Sequence, residues 1–306
     1  MIIDPEGEYG PTVDAAGGNE VDVARPGEIR LPLLTAILRT GVPAMRAARA
    51  ASLLAPVVGA ASDLARERLA RAIQRLLADA RPDLAALPDA LSGTDPRLAD
   101  SVAQALAGPL ALLVGSDGPP PTLRALSLSL AQVDTTLLPA LLPAVTEAAV
   151  GHLQTACGQG SGWLWLTLDE FHLYLEREAG ARVLVELAKR ARKRGIVLTA
   201  VTQHLVDLLR HPDGEAILAA CETVALFRPG IDVAPFAEAL RLDAPAQARA
   251  VALAPGQALL QAAGRLRLVR VELSTEETAI ADTRPDPART ASRSQGQGGA
   301  PDAPVR

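Results

Sequence analysis

Gly162-Trp-Leu-Trp-Leu-Thr-Leu-Asp169-Glu170 is the stretch that decides the fold of this 306-residue chain. The run from Trp163 to Leu168 predicts a strand buried on both faces, and such strands belong to parallel sheets covered by helices. Asp169 and Glu170 then stand at the carboxyl end of the strand, where open α/β sheets bind their ligands. The stretch predicts an α/β fold with a site at this edge. The alternative is that both acids only cap the next helix.

A second buried strand is predicted from Ile196 to Val201, and it ends in Thr202-Gln203. Because parallel strands end at one edge, we expect Asp169, Glu170 and Gln203 to meet there. In phosphoryl-transfer sites a carboxylate of this kind holds the magnesium shell, and a neighbouring carboxylate or glutamine orients the attacking water. The alternative for Gln203 is that it only solvates the end of a strand.

A basic cluster precedes this strand. The predicted helix from Ala181 to Arg194 ends in Arg190, Arg192, Lys193 and Arg194, followed by Gly195. Arginines can act on a phosphate, but basic residues in the last turn also complement the helix dipole. Both interpretations remain open for these residues.

The chain begins with a very short apolar run, Met1-Ile2-Ile3, followed by Asp4-Pro5-Glu6-Gly7-Glu8-Tyr9. This pattern indicates a strand whose acids also lie at its carboxyl end. The alternative is an ordinary Pro-Gly turn that carries acids for solubility.

Four motifs together resemble a known family. They are Met1 to Gly10, Trp163 to Glu176, Lys189 to Gly195 and Val201 to Gln203. In this order and spacing they look like the TraC-like large ATPases of conjugative transfer and type IV secretion systems, within the HerA/FtsK group of hexameric motors. The resemblance runs from Met1 to about Asp282 and is weak between Pro26 and Gly115.

The resemblance implies ATP and Mg²⁺ as cofactors and a role for each matching residue. Asp169 would be the Walker B aspartate that holds magnesium through water, Glu170 the general base, and Gln203 with Thr202 the sensor. Arg192 and Arg194 would reach a neighbouring subunit's triphosphate. Glu6 and Arg228 would lie close to the nucleotide; for Arg228 a surface position is the competing interpretation.

The phosphate-binding loop of such enzymes is absent from the sequence. G-x-x-x-x-G-K-[ST] occurs nowhere, and the chain contains no Gly-Lys dipeptide. That loop supplies the backbone amides and the lysine that cradle phosphates. In the resembled family it lies just upstream of this chain's start. We therefore expect a fragment of a longer coding sequence, rather than a wrongly assigned start or a decayed gene product. Alone, the chain should bind nucleotide poorly and hydrolyse it negligibly.

The predicted organisation has four parts. Residues 1–30 are the start of an incomplete P-loop NTPase (RecA-like) core, 31–114 an all-helical insertion, 115–283 the rest of the core, and 284–306 a disordered tail. Within the core, Val224 to Arg228 predicts a third strand of the late sheet. Residues 257–262 and 265–273 predict a C-terminal hairpin around Ala263-Gly264.

Composition excludes several classes of protein. The chain is 49% hydrophobic but only 2% aromatic, which suits helices and parallel strands better than an all-β sandwich. A net charge of −5 gives no global attraction for nucleic acid, although local contact with DNA is possible. Cys157 and Cys221 indicate neither a disulfide framework nor a metal site. The acidic start does not resemble a signal peptide, and the apolar runs are too short to span a bilayer.

Two function classes follow. The first is the catalytic part of a hexameric ATPase that powers pilus assembly or transport of DNA and protein, in the cytoplasm or at the inner membrane through other secretion components. The second is a non-hydrolysing interaction module, or a decayed remnant. A carboxylate-pair hydrolase is remote, because consecutive strand residues point to opposite faces.

Overall fold

The structure is a computed structural model that describes residues 1–27, 29–40, 42–115, 125–157, 163–203, 205–228 and 234–282. The tail predicted to be disordered, 284–306, lies outside the described residues. Met1–Glu272 forms one compact unit and Leu273–Arg306 another. In the second unit, the described part contains one helix, which Ser274 and Glu277 begin with a reciprocal capping box.

Eight strands are present in the described part of the chain. They are β1 Ile2–Asp4, β2 Asn19–Asp22, β3 Leu126–Ser129, β4 Leu164–Leu168, β5 Ile196–Ala200, β6 Thr223–Phe227, β7 Gln257–Ala262 and β8 Arg265–Arg270. The first five form a sheet of order β2-β3-β1-β4-β5, in which every pair is parallel. This confirms the predicted α/β class with a parallel sheet flanked by helices.

The described part of the chain contains thirteen α-helices. They are α1 Gly10–Ala15, α2 Leu33–Thr40, α3 Arg46–Leu54, α4 Asp63–Leu76, α5 Leu87–Ser92, α6 Pro96–Leu106, α7 Leu138–Cys157, α8 Glu178–Arg190, α9 Leu205–Arg210, α10 Gly214–Ala219, α11 Ala234–Ala239, α12 Ala244–Val251 and α13 Thr275–Ala281. Short 3-10 turns occupy Pro43–Met45, Leu84–Ala86, Ala111–Leu113, Thr135–Leu137, Phe171–Glu176 and Arg192–Arg194.

Local signals explain the helices of the predicted insertion. The side chain of Ser62 accepts a hydrogen bond from the Ala65 amide and so begins α4; Asp95 begins α6 in the same way, with a proline at the first helical position. Leu69, Ile73 and Leu76 recur at helical spacing and are buried. From residue 33 to residue 113, the described residues contain helices and turns but no strand.

Helix α7 is the centre of the hydrophobic core and packs against α2, α3 and α8. In the described chain it is the one helix long and apolar enough to cross a membrane: Thr135–Gln154 has a mean hydropathy of 1.3, and 83% of that window is buried inside the protein. Burial of this extent is what a core helix of a folded domain shows, so the length and composition of α7 are explained by packing.

Two sequence predictions about the strands need correction. Trp163 and Trp165 are 62% and 63% exposed, so β4 is buried on one face only, where Leu166 and Leu168 lie. In the described part of the chain, the other face leaves both tryptophans exposed. Strand β6 does not extend the sheet of β4 and β5, because it pairs with β7 in an antiparallel sheet of order β6-β7-β8. The predicted hairpin is β7 and β8.

Candidate functional site

The candidate site lies at the carboxyl ends of β1, β4 and β5. Leu168 of β4 is aligned with Ile3 of β1 and with Ala200 of β5, so the three strands end at the same level. Asp4 is the last residue of β1, Asp169 and Glu170 follow β4, and Thr202 and Gln203 follow β5. The sheet register therefore brings the predicted carboxylates and sensor residues to one edge.

Glu170 is held by residues from both neighbouring segments. Nε2 of Gln203 donates a hydrogen bond to its Oε1 over 2.8 Å. Nδ1 of His172 lies 3.0 Å from its Oε2, but without hydrogen-bond geometry, and that buried oxygen accepts no hydrogen bond from the described residues. Glu170 has a φ of 44°, a left-handed conformation that a glutamate adopts only when its surroundings fix it.

Asp4 organises the turn at the chain start. It is fully buried, and its carboxylate accepts hydrogen bonds from the amides of Gly7, Glu8 and Tyr9 and from the hydroxyl of Ser127. By accepting from three consecutive amides, this aspartate fixes the conformation of the turn that follows β1. Asp4 is therefore a structural residue that positions Tyr9.

The edge is electrostatically negative. Burial is the main cause that raises the pKa of Asp169 to about 6; the charges of Glu170, Asp4 and Glu8 add to it, and a backbone hydrogen bond from Glu170 acts in the opposite direction. The pKa of Tyr9 is raised to about 12, mainly by burial and then by the negative charges of Asp169, Asp4, Glu8 and Glu170. A divalent cation would relieve this repulsion, and oxygen ligands suit Mg²⁺.

The residues fit a magnesium ion held partly by a substrate rather than by a protein cage. Among the described residues no group of three or more His, Cys, Asp or Glu side chains is arranged to hold a metal ion. Mg²⁺ usually keeps several waters and takes one or two carboxylates plus phosphate oxygens. Asp169, only 8% exposed, is the carboxylate best placed for that role.

The predicted arginines lie elsewhere. Arg192 and Arg194 precede β5, at the sheet edge opposite Asp169 and about 16 Å away for a strand of five residues. Arg194 is 15% exposed and donates to Glu186 over 3.2 Å, whereas Arg192 is 82% exposed and pairs with Glu222 at 2.8 Å. Neither shares a site with Asp169 within one chain.

Glu6 and Arg228 are both exposed, Glu6 on the turn after β1 and Arg228 directly after β6. Their predicted closeness to a nucleotide stays a prediction.

Two residues of this edge were not among the predicted site residues. His172 lies on the 3-10 turn Phe171–Glu176, with its Nδ1 also 3.5 Å from the hydroxyl of Thr202. The Asp-Glu-x-His spacing was the available signal for it. Tyr9 had no such signal, because it approaches Asp169 only through the turn that Asp4 holds.

Comparison with known proteins supports the fold. The structure is similar to that of VirB4 of Thermoanaerobacter pseudethanolicus, with a TM-score of 0.71 and 18% sequence identity, over 90% of this chain and 82% of the VirB4 chain. No protein-family model and no curated protein matches the chain. The chain therefore has a VirB4-like, RecA-like fold.

Proposed function

We propose that this chain is the carboxylate-bearing part of a hexameric ATPase of a type IV secretion or conjugation system, of the TraC-like kind in the HerA/FtsK group. The observation that carries the proposal is the 2.8 Å hydrogen bond between Gln203 and Glu170, beside Asp169, at the ligand edge of a VirB4-like sheet. Because the proposed sensor, Gln203, contacts the proposed general base, Glu170, hydrolysis can depend on whether a phosphate is bound.

Each residue has a role that follows from its position. Asp169 would hold the hydrated Mg²⁺, which when bound neutralises charge on the β- and γ-phosphates. Glu170 accepts the proton of the attacking water on a carboxylate oxygen, as a general base. Gln203 donates to Glu170 and, together with Thr202, would detect the terminal phosphate. His172 lies beside the carboxylate oxygen of Glu170 that Gln203 does not bind, with its Nδ1 3.0 Å from Oε2.

The remaining candidates act between subunits or stay peripheral. Arg192 is exposed at the far edge of the sheet, a position from which it serves only a neighbouring subunit's triphosphate. An arginine supplied in this way stabilises the charge of the transition state. Arg194, Glu6 and Arg228 are weaker candidates, since Arg194 is paired inside the protein and the others lie exposed.

The chain lacks the loop that cradles phosphates, so we propose that catalysis requires polypeptide upstream of Met1. The complete protein would act in the cytoplasm, peripherally at the inner membrane through other secretion components, on protein or DNA cargo. The same missing loop favours the second candidate function, a non-hydrolysing interaction module that keeps the fold but no longer turns over ATP.

The test compares two polypeptides. The 306-residue chain and a version extended through the in-frame upstream sequence are assayed for Mg²⁺-dependent ATP hydrolysis and for binding of a fluorescent ATP analogue. We expect negligible hydrolysis and weak binding for the first, and turnover for the second. Glu170→Gln should reduce that turnover by about a hundredfold or more while binding persists. Glu176→Gln, at the end of the 3-10 turn that follows Glu170, is the matched control.

Robust turnover by the 306-residue chain alone contradicts the proposal that the loop is required. An extended chain that binds nucleotide without hydrolysing it supports the interaction module instead.

A further inference from the structure

A chain of ion pairs links the helical segment, residues 33–113, to the turn that precedes β5. Arg49 of α3 donates from Nη1 to Oε2 of Glu186 on α8 over 2.7 Å. The other oxygen of this carboxylate, Oε1, accepts from Nη2 of Arg194 over 3.2 Å. Arg194 is the last residue of the 3-10 turn Arg192–Arg194, here called the arginine turn. One carboxylate therefore binds both the helical segment and the arginine turn.

Glu186 is charged and is held at both of its oxygens. Burial acts to raise its pKa, but the hydrogen bond and charge of Arg49, with the charges of Arg194 and Arg190, outweigh burial and lower the pKa. Glu186 therefore keeps its negative charge near neutral pH. Hydrogen bonds between charged groups are shorter and stronger than those between neutral groups. With Arg49 on one oxygen and Arg194 on the other, the carboxylate has one preferred orientation.

Arg49 is itself fixed by the core. A second carboxylate, that of Glu147 on α7, accepts from its Nη2 over 2.6 Å, and Glu147 is only 3% exposed. The Nε of Arg49 is buried and has no hydrogen-bond partner among the described residues. A buried donor without a partner costs free energy and persists only where other contacts compensate for it. The two carboxylates are those contacts, so Arg49 is a fixed bridge between α3, α7 and α8.

The arginine turn has one anchored and one exposed side chain. Arg194 is 15% exposed, whereas Arg192 is 82% exposed and its partner Glu222 is 79% exposed. Exposed pairs of this kind hold a side chain only weakly. The turn is short, because the Arg194 amide donates to the Ala191 carbonyl and the Gly195 amide donates to the Arg192 carbonyl. The anchor at Arg194 therefore sets where Arg192 projects from the surface.

Glu186 has an alternative partner at the surface. Arg190 lies one helical turn later on α8, is 62% exposed, and has its Nη1 3.6 Å from Oε1 of Glu186. If Arg49 no longer binds Oε2, the carboxylate can rotate toward Arg190 and release Arg194. Arg49 thus determines which arginine Glu186 binds.

We propose that Arg49 is a positioning residue for the arginine turn. Through Glu186, the helical segment controls whether Arg192 is held where it can reach a neighbouring subunit. A shift of α3 by about 1 to 2 Å is enough to break the hydrogen bond between Arg49 and Glu186. The action on a neighbouring subunit rests on the proposed function, whereas the link between Arg49 and the arginine turn rests on the contacts alone.

The link is tested on the 306-residue chain by hydrogen exchange. Arg49→Met with Glu147→Leu removes the link without leaving a buried charge unpaired. We expect exchange to become about tenfold faster or more in 191–195, and to stay unchanged in 126–129. Glu147→Gln is the matched control, because it removes a charge from the same network but keeps the contact between Arg49 and Glu186. The arginine turn should stay protected in this control.

A second variant checks the same link from the other side. Glu186→Gln removes the charge that binds both arginines, so it should also speed exchange in 191–195 and not in 126–129. Unchanged exchange in 191–195, or equally faster exchange in both segments, overturns the proposal. The second outcome would show a loss of global stability rather than of local positioning.

The consequence for turnover is tested in the extended polypeptide. Arg49→Met with Glu147→Leu should lower turnover by about tenfold or more without changing the affinity for a fluorescent ATP analogue, because the arginine acts on the transition state. Adding Arg192→Ala should cause no further loss, since both changes remove the same interaction. Mixing this double variant with Glu170→Gln chains, whose arginine turn is intact, should give more turnover than the sum of the separate proteins.

Faster exchange in 191–195 with unchanged turnover overturns the control of Arg192 by the helical segment. Absence of turnover in the unmodified extended polypeptide contradicts the proposed function instead, and hydrogen exchange alone then decides whether Arg49 positions the arginine turn.

Discussion

Gln203 donates a hydrogen bond from Nε2 to Oε1 of Glu170 over 2.8 Å, which joins residues that follow two adjacent parallel strands. Glu170 is 8% exposed and has a left-handed backbone, so its carboxylate has little freedom to move away from this partner. The charge and the stability of this sheet edge therefore depend on the residue at position 203.

Replacing this amide by an acid should destabilise the protein. In Gln203→Glu a second carboxylate, on an exposed residue, stands beside the buried Glu170, and the two like charges repel each other. We expect its free energy of unfolding to be about 1 kcal/mol lower than that of Gln203→Ala near pH 7.5, from urea denaturation. Equal free energies of unfolding for the two variants contradict the contact.

Removing the negative charge of Asp169 should stabilise the folded protein. Its folded-state pKa of about 6 exceeds the reference value of 3.8, so the folded state binds a proton that the unfolded state has lost. Stability therefore falls as pH rises between these values and stays lower above them. We expect Asp169→Asn to raise the free energy of unfolding by about 1 to 2 kcal/mol near pH 7.5, after allowance for solvent screening, with the gain disappearing below about pH 4.

The measurement is urea denaturation from about pH 3 to pH 8 in a buffer with EDTA. Asp79→Asn, at an exposed position, is the control and should show no such pH trend. A loss of stability in Asp169→Asn at neutral pH shows that the carboxylate is stabilised by its surroundings, which is the opposite of this prediction.

A buried ion pair connects the helical segment to the core. Arg49 of α3 contacts Glu147 of α7 at 2.6 Å and Glu186 of α8 at 2.7 Å, and Glu147 is 3% exposed. Glu147→Ala removes one of the two carboxylates that Arg49 binds and leaves Arg49, 27% exposed, with Glu186 alone, so it should cost about 2 kcal/mol in urea denaturation. The double variant Arg49→Met with Glu147→Leu should recover most of that loss. If Glu147→Ala changes stability by less than about 0.5 kcal/mol, the pair is not structural.

Much of this fold could be predicted from short stretches of sequence. The strand from Leu164 and the strand from Ile196 were predictable because apolar runs end abruptly in polar residues, and parallel strands that end together bring Asp169, Glu170 and Gln203 to one edge. The placement of β6 was not predictable in this way. Its residues fit any sheet, and its partner β7 lies some 30 residues later in the chain, so the pairing depends on distant sequence.

The same limit applies to the site. Tyr9 approaches Asp169 because Asp4 binds three consecutive amides, and His172 approaches Glu170 because a 3-10 turn follows a left-handed residue. Neither close approach produces a periodic pattern in the sequence from which it could be predicted. The exposure of Trp163 and Trp165 was also missed, since an apolar run alone does not show which face other elements cover.

Of the two predicted arginines, Arg194 should contribute to the stability of the fold and Arg192 should not. Arg194 is 15% exposed and bound to Glu186, which also holds Arg49; Arg192 is 82% exposed in a pair with an exposed Glu222. We expect Arg194→Ala to lower the free energy of unfolding by about 1 to 2 kcal/mol and Arg192→Ala by less than about 0.5 kcal/mol. In the extended polypeptide, loss of turnover in Arg192→Ala with unchanged stability and assembly supports its action on a neighbouring subunit. Unchanged turnover removes that role.

Gly180 controls how the turn after Glu170 packs on α8. A Cβ added there would lie 2.1 Å from the backbone oxygen of Tyr174, whose side chain is fully buried. Backbone atoms cannot yield as a flexible side chain does, so Gly180→Ala must move the 3-10 turn that carries His172. We expect a loss of about 2 to 3 kcal/mol in urea denaturation. Gly93 has a negative φ and nothing within 4 Å of an added Cβ, so Gly93→Ala should be neutral or slightly stabilising. Equal effects of the two substitutions contradict this close approach.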